Sequence, residues 1–437
     1  MKRIINILFI SGILFSFYCV PLSGQSQEKE QTYTKNYSPS GIRKLNITHR
    51  RGPLLLKNSS DGEIHIELKV RITGKTQEDI DLLFEAIKLD DRNNGNELEV
   101  ISASQISSWV ENHGKATVKL KNGDVAHDIK DLEMIMTIQA PPLENIALKN
   151  KYEKIEVASN LTGNLEIDLY SGELIAKNIG GSLTINSKYS TLNFGDFQQG
   201  LFDLYECKST GGTGANLQIK SKYSKVKFDQ CAQLNLESYE DTYIIGDIPQ
   251  SSSISDKYSH FTLANIGDIK LSLYETELEI KSGKKLSAEC KYGSVRAESL
   301  SILDLAGSYE TDFIIGRLDE VIAKNDKYGT FDIDVLNHRF VLTGYESSVD
   351  VNTVSKSVSE ISVDSKYDRM RFGLPQDLKY SLDAEMKYGN ISFDQQLFNK
   401  IDRQEKGDEL KIKAGIGDSG VKTKIMLRAY ETDFTLR

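Results

Sequence analysis

A short phrase recurs along the chain, plainest in Ser182-Leu-Thr-Ile-Asn-Ser-Lys-Tyr-Ser-Thr-Leu-Asn-Phe194 and Asn216-Leu-Gln-Ile-Lys-Ser-Lys-Tyr-Ser-Lys-Val-Lys-Phe228. Each copy is an alternating apolar run, a tyrosine and a second alternating run. The tyrosines set the rhythm: Tyr152, Tyr170, Tyr189, Tyr205, Tyr223, Tyr239, Tyr258, Tyr274, Tyr292, Tyr309, Tyr328, Tyr345, Tyr367 and Tyr388, with an echo at Tyr430. From 152 to 345 there are eleven intervals in 193 residues, a period of about 17.5, and a fixed period of this kind marks a repeat array. Fifteen of the twenty tyrosines fall in the series, too many for chance.

Two versions of the phrase alternate. In one, Lys precedes the tyrosine and apolar residues sit six and four before it and three and five after, as Ile146, Leu148, Ile155 and Val157 do around Tyr152. In the other, apolar residues sit five, three and one before and four and six after, as Ile269, Leu271, Leu273, Leu278 and Ile280 do around Tyr274. Residues on one face of a straight strand lie an even number apart. The distance across the tyrosine is odd in both versions, seven in one and five in the other. A bend beside the tyrosine resolves the conflict, because both short strands then face one interior. Gly/Asn-rich pieces at 178–181, 195–200 and 265–268 supply other bends. The expected architecture is an all-β parallel solenoid with turns of about 17.5 residues, some fifteen of them stacking to roughly 70 Å. An antiparallel β-meander repeat is the alternative. The odd parity also argues against an outer-membrane barrel, whose strands alternate without interruption.

The first residues read as an export signal. Lys2 and Arg3 precede the apolar run from Ile4 to Val20, and Leu22-Ser23-Gly24 offers a cleavage site, which places a signal peptide at 1–24. Cys19 lacks the small preceding residue of a lipidated cysteine, and no transmembrane segment follows cleavage. Loss of two basic residues takes the formal charge from −9 to −11, which argues against nucleic acid and anionic membranes as partners. Residues 25–40 read as a polar linker. Residues 41–143 read as a β-rich cap with one short helix: Ile64, Ile66, Leu68, Val70 and Ile72 alternate as a strand, and Thr76 with Asp79 opens a helix carrying Ile80, Leu83, Phe84 and Ile87. Further strands are expected at Leu98–Ile101, Ala116–Leu120 and Leu132–Ile138, with a tight turn at Asn122-Gly123. Such a region would cover the open end of the repeat array, which spans 144–437.

Candidate chemistry is sparse. The six histidines are scattered, and no Cys/His group has metal-ligand spacing, so neither metal nor other cofactor is expected. Cys207, Cys231 and Cys290 are too few and irregular for a disulfide framework, although Cys207 and Cys231 could pair. Asp332 with Asp334, and Glu240 with Asp241, are the nearest carboxylate pairs, but no basic, histidine or metal-binding partner converges on them. Gly211-Gly-Thr-Gly214 lacks the lysine of a phosphate loop and reads as a turn. The catalytic set is therefore empty. The tyrosine series is read first as a structural ladder and second as a binding strip.

The Lys-Tyr-Gly turns at Lys291-Tyr-Gly293, Lys327-Tyr-Gly329 and Lys387-Tyr-Gly389, together with the exported start and irregular opening region, resemble the bacterial putative-adhesin family of exported β-helical repeat proteins, common in Bacteroides-like bacteria. The resemblance implies a cell-envelope β-helix and carries no catalytic residues. The expected function is a non-enzymatic exported scaffold or binding surface for glycan or protein, in the periplasm, on the outer-membrane surface or secreted. The alternatives are a β-helical polysaccharide lyase or hydrolase and a periplasmic structural or sensory component.

Overall fold

The computed structural model describes residues 26–437. The signal peptide at 1–24 and Cys19 lie outside the described residues. The structure is 71% strand and 3% helix, and the chain divides into two units.

The smaller unit holds residues 26–31 together with 70–88 and 104–133. Its helix, Gln77–Glu85, begins at Thr76, whose side chain accepts the Asp79 N–H, and it buries Ile80, Leu83 and Phe84. Ile87, expected on the same helical face, instead starts the strand Ile87–Asn93, because the helix closes at Ala86. Ile106–Asn112 and Lys115–Leu120 form an antiparallel pair, and Gly123 turns with a φ of 101° at the expected Asn-Gly position. Arg71 and Glu133 are paired at 2.6 Å.

The larger unit is the parallel solenoid, with turns spaced about 18 residues apart. Lys151 stands beside Tyr170, Lys188 beside Tyr205 and Lys222 beside Tyr239, so each register step is 17 to 19 residues where the array is regular. Every ladder between neighbouring tyrosine coils is parallel, which sets aside the antiparallel meander. The inferred bend is present at every tyrosine: Leu165, Ile167 and Leu169 before the corner and Leu174 after it are at most 1% exposed. Both runs thus face one core despite their odd spacing.

Two segments depart from their sequence reading. Residues 25–40, read as a linker, contain the strand Gln27–Tyr37, which pairs with Ile64–Gly74. Its polar side chains are largely exposed, so it carries no apolar alternation to read. Lys44–Thr48 and Leu54–Asn58, inside the 41–143 region, stack in register on Asn145–Lys151 and Ile155–Val157, and Arg51 occupies the corner beside Tyr152 with a φ of 64°. The parallel stacking therefore includes segments that lack the tyrosine.

Gly211-Gly-Thr-Gly214 is not a turn; it lies inside the strand Lys208–Lys222. Gly211 and Gly214 make room for rings. Phe194, Phe197, Phe202 and Phe228 pack with centroids 5.5–6.1 Å apart. A Cβ at Gly211 would stand 2.5 Å from the Phe194 ring and 2.6 Å from Phe228.

At its C-terminal side the stack departs from chain order. Thr423–Tyr430 and Asp433–Leu436 insert between the coil ending at Phe372 and the coil starting at Tyr380, so Tyr430 sits between Tyr367 and Tyr388. Beyond Tyr380–Lys387 the antiparallel strands Glu409–Ala414 and Ile401–Lys406 complete the sheet.

The phenylalanine cluster gives a test in which two effects oppose. Valine is favoured in strands by up to about 1 kcal/mol over glycine, whereas overpacking a filled core costs about 1–3 kcal/mol. Gly211→Val is therefore expected to destabilise the solenoid by about 1 kcal/mol in chemical denaturation; a variant as stable as the parent would show that the rings have room.

Candidate functional site: the tyrosine edge

The corner residue of each coil is in the left-handed region. In the Lys-Tyr version it is the tyrosine itself: Tyr152, Tyr189, Tyr223, Tyr258, Tyr292, Tyr328, Tyr367 and Tyr388 have φ of 56–69°. In the other version it is the next residue, Ser171, Glu206, Glu240, Glu275, Glu310, Glu346 or Glu431, with φ of 44–54°. A side chain with a Cβ is held there at a cost of order 1–2 kcal/mol. Backbone bonds offset the cost, as Tyr152 N–H donates to Tyr170 O at 2.8 Å and Glu206 N–H to Lys222 O at 2.9 Å.

This one-residue offset sets the pattern of the edge. Lys and Tyr alternate along the column before the corner, and Tyr and Glu along the corner column itself, apart from Ser171. The tyrosines consequently zigzag between two columns. All fourteen expected residues and Tyr430 join one unbroken series of edge-to-face contacts, with centroids 5.2–5.8 Å apart and ring planes at 72–85°. Such contacts contribute about 0.5–1.5 kcal/mol each beyond area burial. The corner tyrosines remain 40–62% exposed and those of the other column are mostly half-buried, so the rings form one continuous open face.

Charge flanks the rings on both sides. Lys151 and Lys222 lie over the next coil's rings, 5.8 and 6.0 Å from the centroids of Tyr170 and Tyr239. In the other version the hydroxyl donates to the following glutamate, as Tyr239 does to Glu240 and Tyr345 to Glu346; these hydrogen bonds, with desolvation, raise both phenol pKa values. At Tyr205, Tyr274, Tyr309 and Tyr430 desolvation is the larger cause and the glutamate adds to it. The phenols are therefore neutral around pH 7.

Behind the rings, the inside of the corner is polar and buried. Asp241, 3% exposed, accepts from Ser221 Oγ at 2.5 Å and Ser224 N–H at 2.6 Å. Asp256 accepts from Ser259 Oγ and Thr276 Oγ1, both at 2.5 Å. Asp326 accepts from Ser347 Oγ at 2.6 Å, and Asp368 from Ser347 N–H at 2.6 Å. Burial pushes the Asp241 and Asp368 carboxyls up to about 6 against these hydrogen bonds, and it raises Asp326 too.

The two carboxylate pairs weighed from sequence lie in different settings. Glu240 is exposed at a corner while Asp241 is buried behind it. Asp332 and Asp334 face outward, and Asp334 accepts from Asn352 Nδ2 at 3.0 Å. They line the end of a groove of about 800 Å³ on the strands after the corner, which also contains Ile244, Ile314 and Arg296 over a floor with Gly246, Ala264 and Gly316. Sequence reasoning passed over this groove. Its signal is an apolar residue where the alternation calls for a polar one, in Tyr243-Ile-Ile245 and Phe313-Ile-Ile315. Among the described residues no group of three His, Cys, Asp or Glu could hold a metal ion. Cys207, Cys231 and Cys290 are free and buried; Cys207 donates to Ser187 O at 3.3 Å, and burial pushes the thiols of Cys231 and Cys290 up to about 12.

The chain is similar to putative adhesins. One from Bacteroides fragilis is 14% identical over 66% of this chain and 97% of its own, with a TM-score of 0.22. Others are from Parabacteroides merdae (10% identity, 66% and 96% covered, TM-score 0.28) and Parabacteroides distasonis (12%, 67% and 97%, 0.27). These are proteins of the kind that the Lys-Tyr-Gly turns resemble. No family model and no curated protein matches the chain. At such TM-scores the likenesses place no ligand or site residue on it.

The buried carboxylates make a signed prediction. A folded pKa of about 6 against about 3.9 unfolded means that the folded state prefers the protonated form. This preference is fully present below about pH 4, and stability declines as pH rises from 4 through 6. His49, buried between Ser102 Oγ and Met134 O and lowered to about 4 by desolvation, acts in the opposite sense over an overlapping window. Comparison with Asp241→Asn isolates the carboxylate. Between pH 7.5 and 4.5 the parent is expected to gain about 2 kcal/mol on the variant in chemical denaturation; a pH-independent difference would contradict the assignment.

Proposed function

We propose that this protein is a non-enzymatic, exported scaffold of the cell envelope whose tyrosine edge is its binding surface for an extended glycan or protein segment. The observation that carries the reading is the unbroken series of rings along one edge, in which the eight corner tyrosines are 40–62% exposed. A ladder serving packing alone has no need of rings 40% or more exposed at every other coil. Aromatic bodies with wet hydroxyls suit sugar rings and peptide backbones alike, combining apolar contact with a polar tip. Recurrence at every second coil, about 9.6 Å, favours a linear partner over a compact one.

The test uses the corner conformation. Asparagine tolerates the left-handed region, so Tyr258→Asn, Tyr292→Asn and Tyr328→Asn together remove three rings while keeping the turn. Retention on a panel of immobilised polysaccharides is expected to fall at least about tenfold for the member that the parent binds, at about 0.5–1.5 kcal/mol per ring. Unchanged retention with an intact circular dichroism spectrum would move the binding surface elsewhere. Release of reducing sugar from the panel would overturn the non-enzymatic reading.

Location has its own experiment. Protease added to intact cells is expected to remove a surface-exposed solenoid, whereas survival until the outer membrane is opened would mark a periplasmic component.

A further inference from the structure

The stack is out of order at one place. The coil Glu360–Lys366 with Arg369–Phe372 and the coil Tyr380–Lys387 with Asn390–Ser392 are successive in sequence, yet they do not touch as neighbours. Thr423–Tyr430 and Asp433–Leu436 lie between them, paired along both edges: Ser362 beside Met426 and Met370 beside Phe434 on one side, Leu382 beside Ile425 and Ile391 beside Phe434 on the other. Ile425, Leu427, Phe434 and Leu436 are at most 2% exposed, so the inserted segment completes the core as well as the ladders.

The insertion is an addition to the repeat. Tyr345 and Lys366 are direct neighbours 21 residues apart. Lys366 and Lys387 are also 21 apart, yet both pair with Tyr430 and so lie two coils from one another. A linker that elsewhere would step one coil here spans two, leaving a slot of one coil's width. The segment that fills the slot arrives by way of residues 393–422, whose strand Glu409–Ala414 pairs with Ile401–Lys406 on one side and with Leu382–Lys387 of the coil that walls the slot on the other, which leaves residues 415–422 as the hinge. None of the contacts that hold the segment depends on which molecule supplies it.

We propose that this slot is a strand-acceptor site that takes the segment Thr423–Leu436 from a second copy of the chain, giving a strand-exchanged dimer. Every hydrogen bond and buried side chain of the inserted coil is preserved on exchange, so the enthalpic difference between the two forms is small. The balance is set by chain entropy. The chain's own segment competes at an effective concentration on the order of 1 mM, and the dimer therefore forms where copies are crowded as they fold. Such a dimer would carry two tyrosine edges and gain avidity for a repetitive partner.

Ser362 and Met426 are paired in register, a separation that a disulfide bridges. A Ser362→Cys chain and a Met426→Cys chain are refolded together under mild oxidation and run on a non-reducing gel. A disulfide-linked heterodimer is expected, its share rising about tenfold for each tenfold increase in chain concentration while it remains the minor form. The double variant, refolded dilute, is expected to close the bond within one chain. Internal closure without heterodimer above the level given by Ser362→Cys mixed with Lys220→Cys would overturn the exchange. Failure of the double variant to close would overturn the occupied slot itself.

Discussion

The left-handed corner is the constraint on which the rest of this structure depends. The last core side chain before the corner and the first one after it lie an odd number of positions apart, so a straight strand would turn one of the two runs outward. A single residue at positive φ resets the alternation and turns the chain back over its own interior. Glycine would take that conformation most cheaply, yet the array holds it with tyrosine and glutamate. The strain is met by the parallel ladder on each side and by the rings stacked outside the bend. Because each corner is held by its neighbours, the coils support one another as nearest-neighbour units.

The alternation of two repeat versions has a physical consequence beyond register. Moving the tyrosine one residue between successive coils prevents the rings from stacking face to face and produces the perpendicular packing that their quadrupoles favour. It also leaves lysine in the vacated place on one column and glutamate on the other, so the aromatic zigzag has a basic and an acidic flank. Inside the same corner, serine, threonine and aspartate supply hydrogen-bond partners to the backbone groups of the bend. Their hydrogen bonds tie consecutive coils together, at the expense of keeping carboxylates where burial disfavours their charge.

Much of this was legible in the linear chain. The period, the two versions and the parity conflict together require a bend at the tyrosine and parallel stacking, because only local alternation and covalent geometry enter that reasoning. The helix start at Thr76 and the turn at Asn122-Gly123 follow from equally local chemistry. The strand Gln27–Tyr37 was hidden because its side chains are polar on both faces. Gly211 to Gly214 read as a turn because Gly211 and Gly214 answer to the rings of adjacent coils, which a local window does not contain.

The sequence by itself determined that this chain winds into stacked β-coils with a tyrosine beside each bend, since side-chain alternation is a property of consecutive residues. Only the tertiary structure decided that the rings join into one exposed edge, that Asp241 and Asp368 stand buried behind it, and that the Tyr430 coil enters between Tyr367 and Tyr388. Those outcomes depend on which coil lies beside which, and a repeated pattern is satisfied equally well by several neighbours. The last choice is settled by linker lengths and by the core volume left for Ile425, Leu427 and Phe434, quantities that exist only once the coils are stacked.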